Sequence, residues 1–168
     1  KKFANRGNIK ALLVHYGKLI KNLNDIMQLQ SVLGSNPYDI SGGELQRAAI
    51  AKLLLPEPEV IFLDEATKGM DAFFKAEFGA LLRRLAARGT AIVLVSHDIE
   101  FCAEFADRCA MFFNGTVIAE GTPQEVFLGN SFYTTSACRI SRGIIPDALT
   151  SEQIIDYANR CERKKNDA

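Results

Sequence analysis

Two short stretches of this sequence carry residue types suited to phosphate chemistry. The acidic pair Asp64-Glu65 follows the apolar run Val60-Ile61-Phe62-Leu63, itself preceded by Pro56 and Pro58. If that run is a buried parallel strand, both carboxylates lie at its carboxyl end, where ligands of open α/β sheets bind. Asp64 is then placed to hold Mg²⁺, directly or through water, and Glu65 to polarise a water that attacks a phosphoryl group. The same dipeptide can equally open a solvated loop. Upstream, Ser41-Gly42-Gly43-Glu44 begins a helix-forming stretch. Glycines there let a phosphate approach the backbone, the first N–H groups of the helix are free, and the helix dipole favours negative charge. The plainer alternative is a simple N-cap. His97 closes a second apolar run, 91–95, and could donate a hydrogen bond to a phosphate oxygen or be a satisfied loop residue. His15, inside a predicted helix, is given no role.

The elements that would position these residues follow from periodicity and punctuation. Apolar residues recur at helical spacing over 11–33, including Leu19, Leu23, Ile26, Met27 and Leu33, and the stretch ends at Gly34 with Pro37 beyond it. This predicts a helix in one or two pieces. Residues 44–55 read as helix until the prolines stop it. Asp71 can cap a helix that presents Phe74, Phe78, Leu81, Leu82 and Leu85 on one face and ends in Arg83, Arg84, Arg88 and Gly89. One helical crossover between two apolar runs is the β-α-β arrangement of a parallel sheet. Residues 99–105 read as a short helix. Asn114-Gly115 between 110–113 and 116–119 signals a hairpin, expected as a small antiparallel edge, since both central residues of a type I′ turn need positive φ. Thr122-Pro123-x-Glu125 combines a capping box with a first-turn proline and predicts a short helix over 123–128. A last helix should start at Ser151 and fray into Arg163-Lys164-Lys165.

Composition narrows the classes of function. The 168 residues are 48% apolar and 24% charged, enough to bury an ordinary core and far from a disordered tail. Twenty basic residues balance twenty acidic ones, so no global field draws this chain onto nucleic acid or an anionic membrane. No apolar run reaches the ~20 residues that span a bilayer, and no signal-peptide pattern opens the chain. Any membrane role is expected through a partner. Cys102, Cys109, Cys138 and Cys161 form no C-x-x-C pair and fit reduced thiols better than a disulfide framework.

Order and spacing carry more than any single motif. Ile40-Ser41-Gly42-Gly43-Glu44-Leu45-Gln46-Arg47 resembles the L-S-G-G-Q signature of ATP-binding-cassette (ABC) ATPases. In the same order, Ile61 through Glu65 resembles their Walker B strand, Lys68-Gly69-Met70-Asp71 their D-loop, and Val95-Ser96-His97-Asp98 their switch-histidine loop. The stretch Glu65-Ala66-Thr67-Lys68-Gly69-Met70-Asp71 is similar to the E-P-T-K-G-L-D of energy-coupling-factor transporters. Residues 129–135 resemble a stretch after the last helix of their double-cassette subunits. The likeness runs from about 36 to 150 and is greatest to the second cassette of such a subunit. Glu44 stands where the signature has Gln, Ile40 where it has Leu, and Ala66 where the family usually has Pro.

The resemblance implies a fold of α/β class: a helical subdomain plus the parallel-sheet core of a P-loop NTPase, with a small antiparallel hairpin. It implies Glu65 and His97 as catalytic residues and Asp64 as the Mg²⁺ ligand. Ser41, Gly42, Gly43, Glu44, Gln46 and Asp71 are implied as contacts to ATP. The expected organisation is a helical subdomain over 1–48, the C-terminal part of the ATPase core over 49–150 and a C-terminal helix and tail over 151–168. The phosphate-cradling loop G-x-x-x-x-G-K-[ST] is absent, because Gly17-Lys18 is followed by Leu19 and has no glycine at the required upstream place. Together with the start at Lys1-Lys2, this reads as a fragment cut inside a cassette, lacking the Walker A strand and inactive alone. Its sheet should then carry an exposed apolar flank prone to self-association. The implied partners are a second nucleotide-binding cassette and membrane-embedded transporter subunits, the latter docked in part by the 11–33 segment, at the cytoplasmic face of the cell membrane. The implied work is ATP-driven import of a small solute of the vitamin or metal-ion type. A non-transport cassette acting on nucleic acid or the ribosome is the alternative. The neutral charge and the K-G-M-D loop favour the importer, without nucleic acid as a partner.

Overall fold

The computed structural model describes residues 9–36, 38–130, 132–145 and 147–166, with side chains placed from residue 17 to residue 163. The opening Lys1-Lys2, Pro37 and Ser131 lie outside the described residues, and so do the side chains of Leu12, Leu13 and His15. Two compact units divide the chain between Val95 and Ser96. The helix Gly42–Leu54 runs unbroken through position 48.

The first unit opens with α1 (Ile9–Ile26), a short 3₁₀ turn (Gln30–Val32) and α2 (Gly42–Leu54). The 11–33 segment is thus two pieces, parted at Gln28, whose φ of 52° no α-helix tolerates. Strands β1 (Val60–Asp64) and β2 (Ala91–Val95) pair in parallel, Val60 opposite Ala91 and Asp64 opposite Val95. Between them α3 (Ala72–Ala87) makes the crossover. Asp71 caps α3 by accepting a hydrogen bond from the Phe74 N–H at 2.8 Å, and Gly89, with φ of 95°, turns the chain out of it. The face of α3 that carries Phe74, Phe78, Leu81 and Leu82 is buried, as the spacing predicts. Each phenylalanine contributes about 1.5–3 kcal/mol by leaving water.

The two-stranded sheet corrects one expectation. Apolar runs such as Val60-Ile61-Phe62-Leu63 predict strands buried on both faces, yet only Ile61 and Leu63 of β1 are buried, while Phe62 is 74% exposed. Val93 and Val95 of β2 are exposed on the same side. One face therefore packs inward and the other is bare among the described residues. The exposed apolar residues of the sheet lie on this face.

The second unit contains α4 (Ile99–Phe105), β3 (Cys109–Phe113), β4 (Thr116–Gly121), α5 (Pro123–Phe127), α6 (Ser136–Ser141) and α7 (Ser151–Asn166). Asn114 and Gly115 take φ of 47° and 80°, the two positive values a type I′ turn requires. The hairpin forms its own two-stranded sheet, with a bulge between Met111 and Phe112. Thr122 and Glu125 make the predicted capping box, in which the Glu125 carboxylate accepts the Thr122 N–H at 2.7 Å. Ala103, Val126, Phe127, Cys138 and Leu149 form the core of this unit. The helix α7 continues to Asn166 and does not fray at Arg163.

Helix α6 has no counterpart in the sequence reading. Thr135 caps it, its hydroxyl accepting the Cys138 N–H at 3.1 Å. From 36 positions away, the Glu100 carboxylate accepts both the N–H and the Oγ–H of Ser136, at 3.0 and 2.9 Å. Partial burial pushes the Glu100 pKa up, but the two Ser136 bonds outweigh it and leave the carboxyl below its ordinary value. A folded-state pKa below the unfolded one contributes stability that is complete above the ordinary glutamate value of ~4.3 and is lost as pH falls through the folded value. Glu100→Gln should therefore cost less than about 1 kcal/mol near neutral pH, the contact being largely solvated. Urea unfolding at pH 6.5 and pH 3 checks this: the gap between variant and parent should shrink at the lower pH, and a gap that widens there refutes the assignment.

Candidate functional site

The start of α2 is shaped by an N-terminal cap. The Ser41 carbonyl accepts the Leu45 N–H at 2.9 Å, and its hydroxyl accepts the Glu44 N–H at 3.3 Å. In return the Glu44 carboxylate takes the Ser41 N–H at 2.9 Å and the Ser41 hydroxyl hydrogen at 2.7 Å, completing a capping box. The Ser41 side-chain bond, then its backbone bond, hold the Glu44 pKa below the usual glutamate value. The residue that departs from the signature thus serves as the reciprocal half of this cap.

Among the described residues nothing crowds Gly42 or Gly43 into being glycine. A methyl group on Gly42 would meet nothing within 4 Å, and one on Gly43 would reach only the Gly69 carbonyl at 3.6 Å and the Arg47 guanidinium at 3.8 Å. Those are ordinary contacts, and both residues have helical backbone, where glycine costs up to about 1 kcal/mol relative to alanine.

The acidic end of β1 adjoins α2. Asp64 is the last residue of the strand and is exposed; Glu65 is half-buried and has left β-geometry, with φ of 50°. Three backbone hydrogen bonds and one side chain hold that unusual conformation. The Glu65 N–H donates to the Val95 carbonyl at 2.8 Å, the Lys68 N–H donates to the Glu65 carbonyl at 3.1 Å, and the Met70 N–H donates to the Thr67 carbonyl at 3.2 Å. Gln46, from α2, donates its side-chain amide to the Glu65 and Ala66 carbonyls at 3.2 and 2.7 Å. Ala66, Thr67 and Met70 are buried. Beside them the Arg47 guanidinium lies 5.1 Å from the centre of the Phe74 ring, joining α2 to α3.

The structure therefore brings Gln46 of α2 onto Glu65 and Gly43 of the same helix near the Gly69 carbonyl, while Ser41 and Glu44 bond each other at the helix start. Asp71 lies at the end of the same turn, its carboxylate engaged in capping α3. His97 is exposed and belongs to the second unit, two positions beyond β2. The adjoining Asp98 caps α4 through the Phe101 N–H at 3.0 Å. Sequence reasoning missed the left-handed Glu65, the reach of Gln46 and the Arg47–Phe74 contact; no local signal marks any of them. A cleft of about 560 Å³ opens at the other end of β1, near Pro58, Glu59 and Leu85, and contains none of the expected site residues.

Asp64 presents a single exposed carboxylate at the carboxyl end of β1. Among the described residues no cluster of three acidic, histidine or cysteine side chains converges. A magnesium ion here would take most of its oxygen ligands from phosphates and water, as Mg²⁺ commonly does.

Comparison with known proteins bears on the family and the fold. A family model described as "ABC transporter" matches residues 8–68. An ABC transporter ATP-binding protein of Bacillus thuringiensis is 47% identical over 121 residues, which cover 72% of this chain and 22% of that protein. An energy-coupling factor transporter ATP-binding protein of Latilactobacillus sakei is 37% identical over 107 residues, covering 63% of this chain and 37% of its own length. The chain thus spans well under half of either relative. Among solved structures, the dimeric bacterial ABC transporter cassette MJ0796 superposes with a TM-score of 0.58 at 29% identity, over 63% of this chain and 46% of that one. A second cassette, MJ1267, shares the fold with a TM-score of 0.55 at 22% identity. With the signature-like helix start, the acid-ended parallel strand and the turn between them in one unit, this chain belongs to the ABC transporter ATPase family and represents part of a cassette.

Proposed function

We propose that the chain is part of the ATP-binding subunit of an importer of the energy-coupling-factor type, in which ATP hydrolysis drives uptake of a small solute. The observation that carries this reading is the pair of unneeded glycines at the start of α2, tied through Gln46 to the turn that bears Glu65. Among the described residues nothing fills the space above Gly42. A helix N-terminus open in this way can close over an anion brought from outside. The Glu-Ala-Thr-Lys-Gly-Met-Asp turn and relatives named as energy-coupling factor ATP-binding proteins support the importer type.

In this reading Asp64 holds the magnesium of an ATP bound by the cassette's own phosphate loop, and Mg²⁺ supplies charge neutralisation at the phosphoryl group. Glu65 orients the attacking water and accepts its proton, while His97 donates a hydrogen bond to a phosphate oxygen. Ser41, Gly42 and Gly43 face a nucleotide held by a second cassette. The subunit works at the cytoplasmic face of the cell membrane beside membrane-embedded partners, and nucleic acid is not a partner. Among the described residues no helix is long and apolar enough to cross a membrane.

This 168-residue chain carries no G-x-x-x-x-G-K-[ST] sequence to cradle the β- and γ-phosphates. The isolated polypeptide should therefore bind Mg-ATP only weakly and hydrolyse none. Titration calorimetry checks this. A dissociation constant of about 10 µM or tighter, equivalent to roughly −7 kcal/mol, would overturn the proposed dependence on a phosphate loop supplied by further sequence.

A further inference from the structure

We infer that Gln46 is a positioning residue for the catalytic carboxylate: its side-chain amide, donated to the Glu65 and Ala66 carbonyls, fixes the left-handed turn on which Glu65 stands. The inference rests on the reading of Glu65 as the group that orients the attacking water.

The reasoning begins with the backbone. A non-glycine residue at φ of 50° is uncommon, and it persists where surrounding bonds over-determine it. Glu65 is held on its amino side by β2, through the Val95 carbonyl. On its carboxyl side, the local turn supplies the Lys68 N–H to the Glu65 carbonyl. The Ala66 carbonyl is bound by Gln46 at 2.7 Å, the shorter of the two Gln46 bonds, and Ala66 itself is buried. A buried carbonyl deprived of its donor pulls the backbone toward another partner. Gln46 thus holds the Glu65–Ala66 peptide, one of the two that flank Glu65, and the Ala66–Thr67 peptide after it, while the Val95 carbonyl holds the other flanking peptide.

The second link is mechanical. Gln46 sits on the first turns of α2, whose N-terminus is the proposed anion contact, and Gly43 of the same helix lies close to the Gly69 carbonyl at the far end of the turn. A shift of α2 on closing over a nucleotide would be transmitted through a bond of fixed length to the Glu65 turn. Direct contact of Gln46 with ATP, which the family resemblance implies, is a different role. At the turn its amide nitrogen serves the Glu65 and Ala66 carbonyls.

Two measurements test the inference, and the first does not depend on ATP chemistry. Gln46→Glu keeps the shape but presents a carboxylate oxygen where the two carbonyls need a donor, and Gln46→Ala removes the donor without repulsion. In the chain itself, hydrogen exchange at the Lys68 and Met70 amides should accelerate at least about tenfold in both variants while α3 amides stay protected. In the complete ATP-hydrolysing protein, Gln46→Ala should lower kcat about tenfold with the ATP dissociation constant held within about twofold, and should cause no further loss when combined with Glu65→Gln. Unchanged exchange at the turn overturns the inference. So does a Gln46→Ala effect confined to ATP affinity, or one that adds in full to Glu65→Gln. If the parent protein hydrolyses no ATP, the proposed function falls and the catalytic role of Gln46 with it, while the exchange result still decides whether Gln46 holds the turn.

Discussion

Replacing Glu65 by glutamine in the complete ATP-hydrolysing protein is expected to slow turnover by about 10²–10⁴-fold while ATP affinity stays within about twofold, the range a positioned general base contributes. The expectation is sharp because the turn around Glu65 is built from backbone and from Gln46. Its N–H bonds to Val95, and its carbonyl accepts Lys68 and Gln46. None of these involves the Glu65 side chain. Glutamine has the same shape and tolerates positive φ no worse, so the substitution removes a negative charge and a proton acceptor without disturbing the frame that presents them. An enzyme that still binds nucleotide but cannot complete hydrolysis should accumulate in the closed, nucleotide-occluded form, visible as a slowly exchanging stoichiometric ATP complex. Turnover within about threefold of the parent would remove Glu65 from the mechanism and leave Asp64 and His97 to be reconsidered.

The parts of this fold that a reader of the sequence can find are those written in local chemistry. Asp71 caps α3 because a carboxylate three residues before Phe74 can reach its N–H, and Asn114-Gly115 turns the hairpin because both residues accept positive φ. The Ser41-Glu44 and Thr122-Glu125 capping boxes are of the same kind. Each is decided within four residues. Strand burial is not. Val60-Ile61-Phe62-Leu63 is uniformly apolar, and nothing within the run says that only Ile61 and Leu63 would be covered by this chain, since that depends on which elements pack on each face.

The site divides in the same way. The order of motifs identifies Ser41, Asp64, Glu65 and His97 as candidates, but the left-handed backbone at Glu65 and the reach of Gln46 across 20 positions to Ala66 are tertiary facts. In the second unit, α6 was invisible because much of what holds its start comes from elsewhere: Glu100 of α4 receives both polar hydrogens of Ser136. A six-residue helix is too short to announce itself by periodicity. Glu44 shows the limit of motif reading most clearly. The motif marks it only as a departure from the signature, and the structure adds that its carboxylate accepts the Ser41 N–H and hydroxyl hydrogen in the cap of its own helix.

That capping geometry sets up the second large effect, expected from Ser41→Arg. Ser41 contributes at one place to two things: its side chain completes the cap of α2, and in the proposed two-cassette arrangement its hydroxyl and the following glycine N–H groups approach a nucleotide held by the other cassette. Losing a serine N-cap costs about 1 kcal/mol, which a folded domain can withstand. The added length is the larger change. An arginine at this exposed position extends several ångströms into the space over Gly42 that the structure leaves open. Its guanidinium can attract a phosphate, but it holds that phosphate away from the helix N-terminus, and stabilisation by preorganised N–H groups depends on contact near 3 Å. Hydrolysis at the opposite site should therefore fall by at least about 100-fold, while nucleotide binding by the local cassette stays within about twofold. Ser41→Asn provides the control, because asparagine is as good an N-cap as serine and is short, so it should retain much more of the activity. Site-resolved nucleotide trapping in the intact two-cassette protein reads both effects at once. Loss of binding at the mutated cassette with the partner's site spared would contradict the sharing of sites, and equal losses for Ser41→Asn and Ser41→Arg would assign the effect to the serine hydroxyl in place of helix approach.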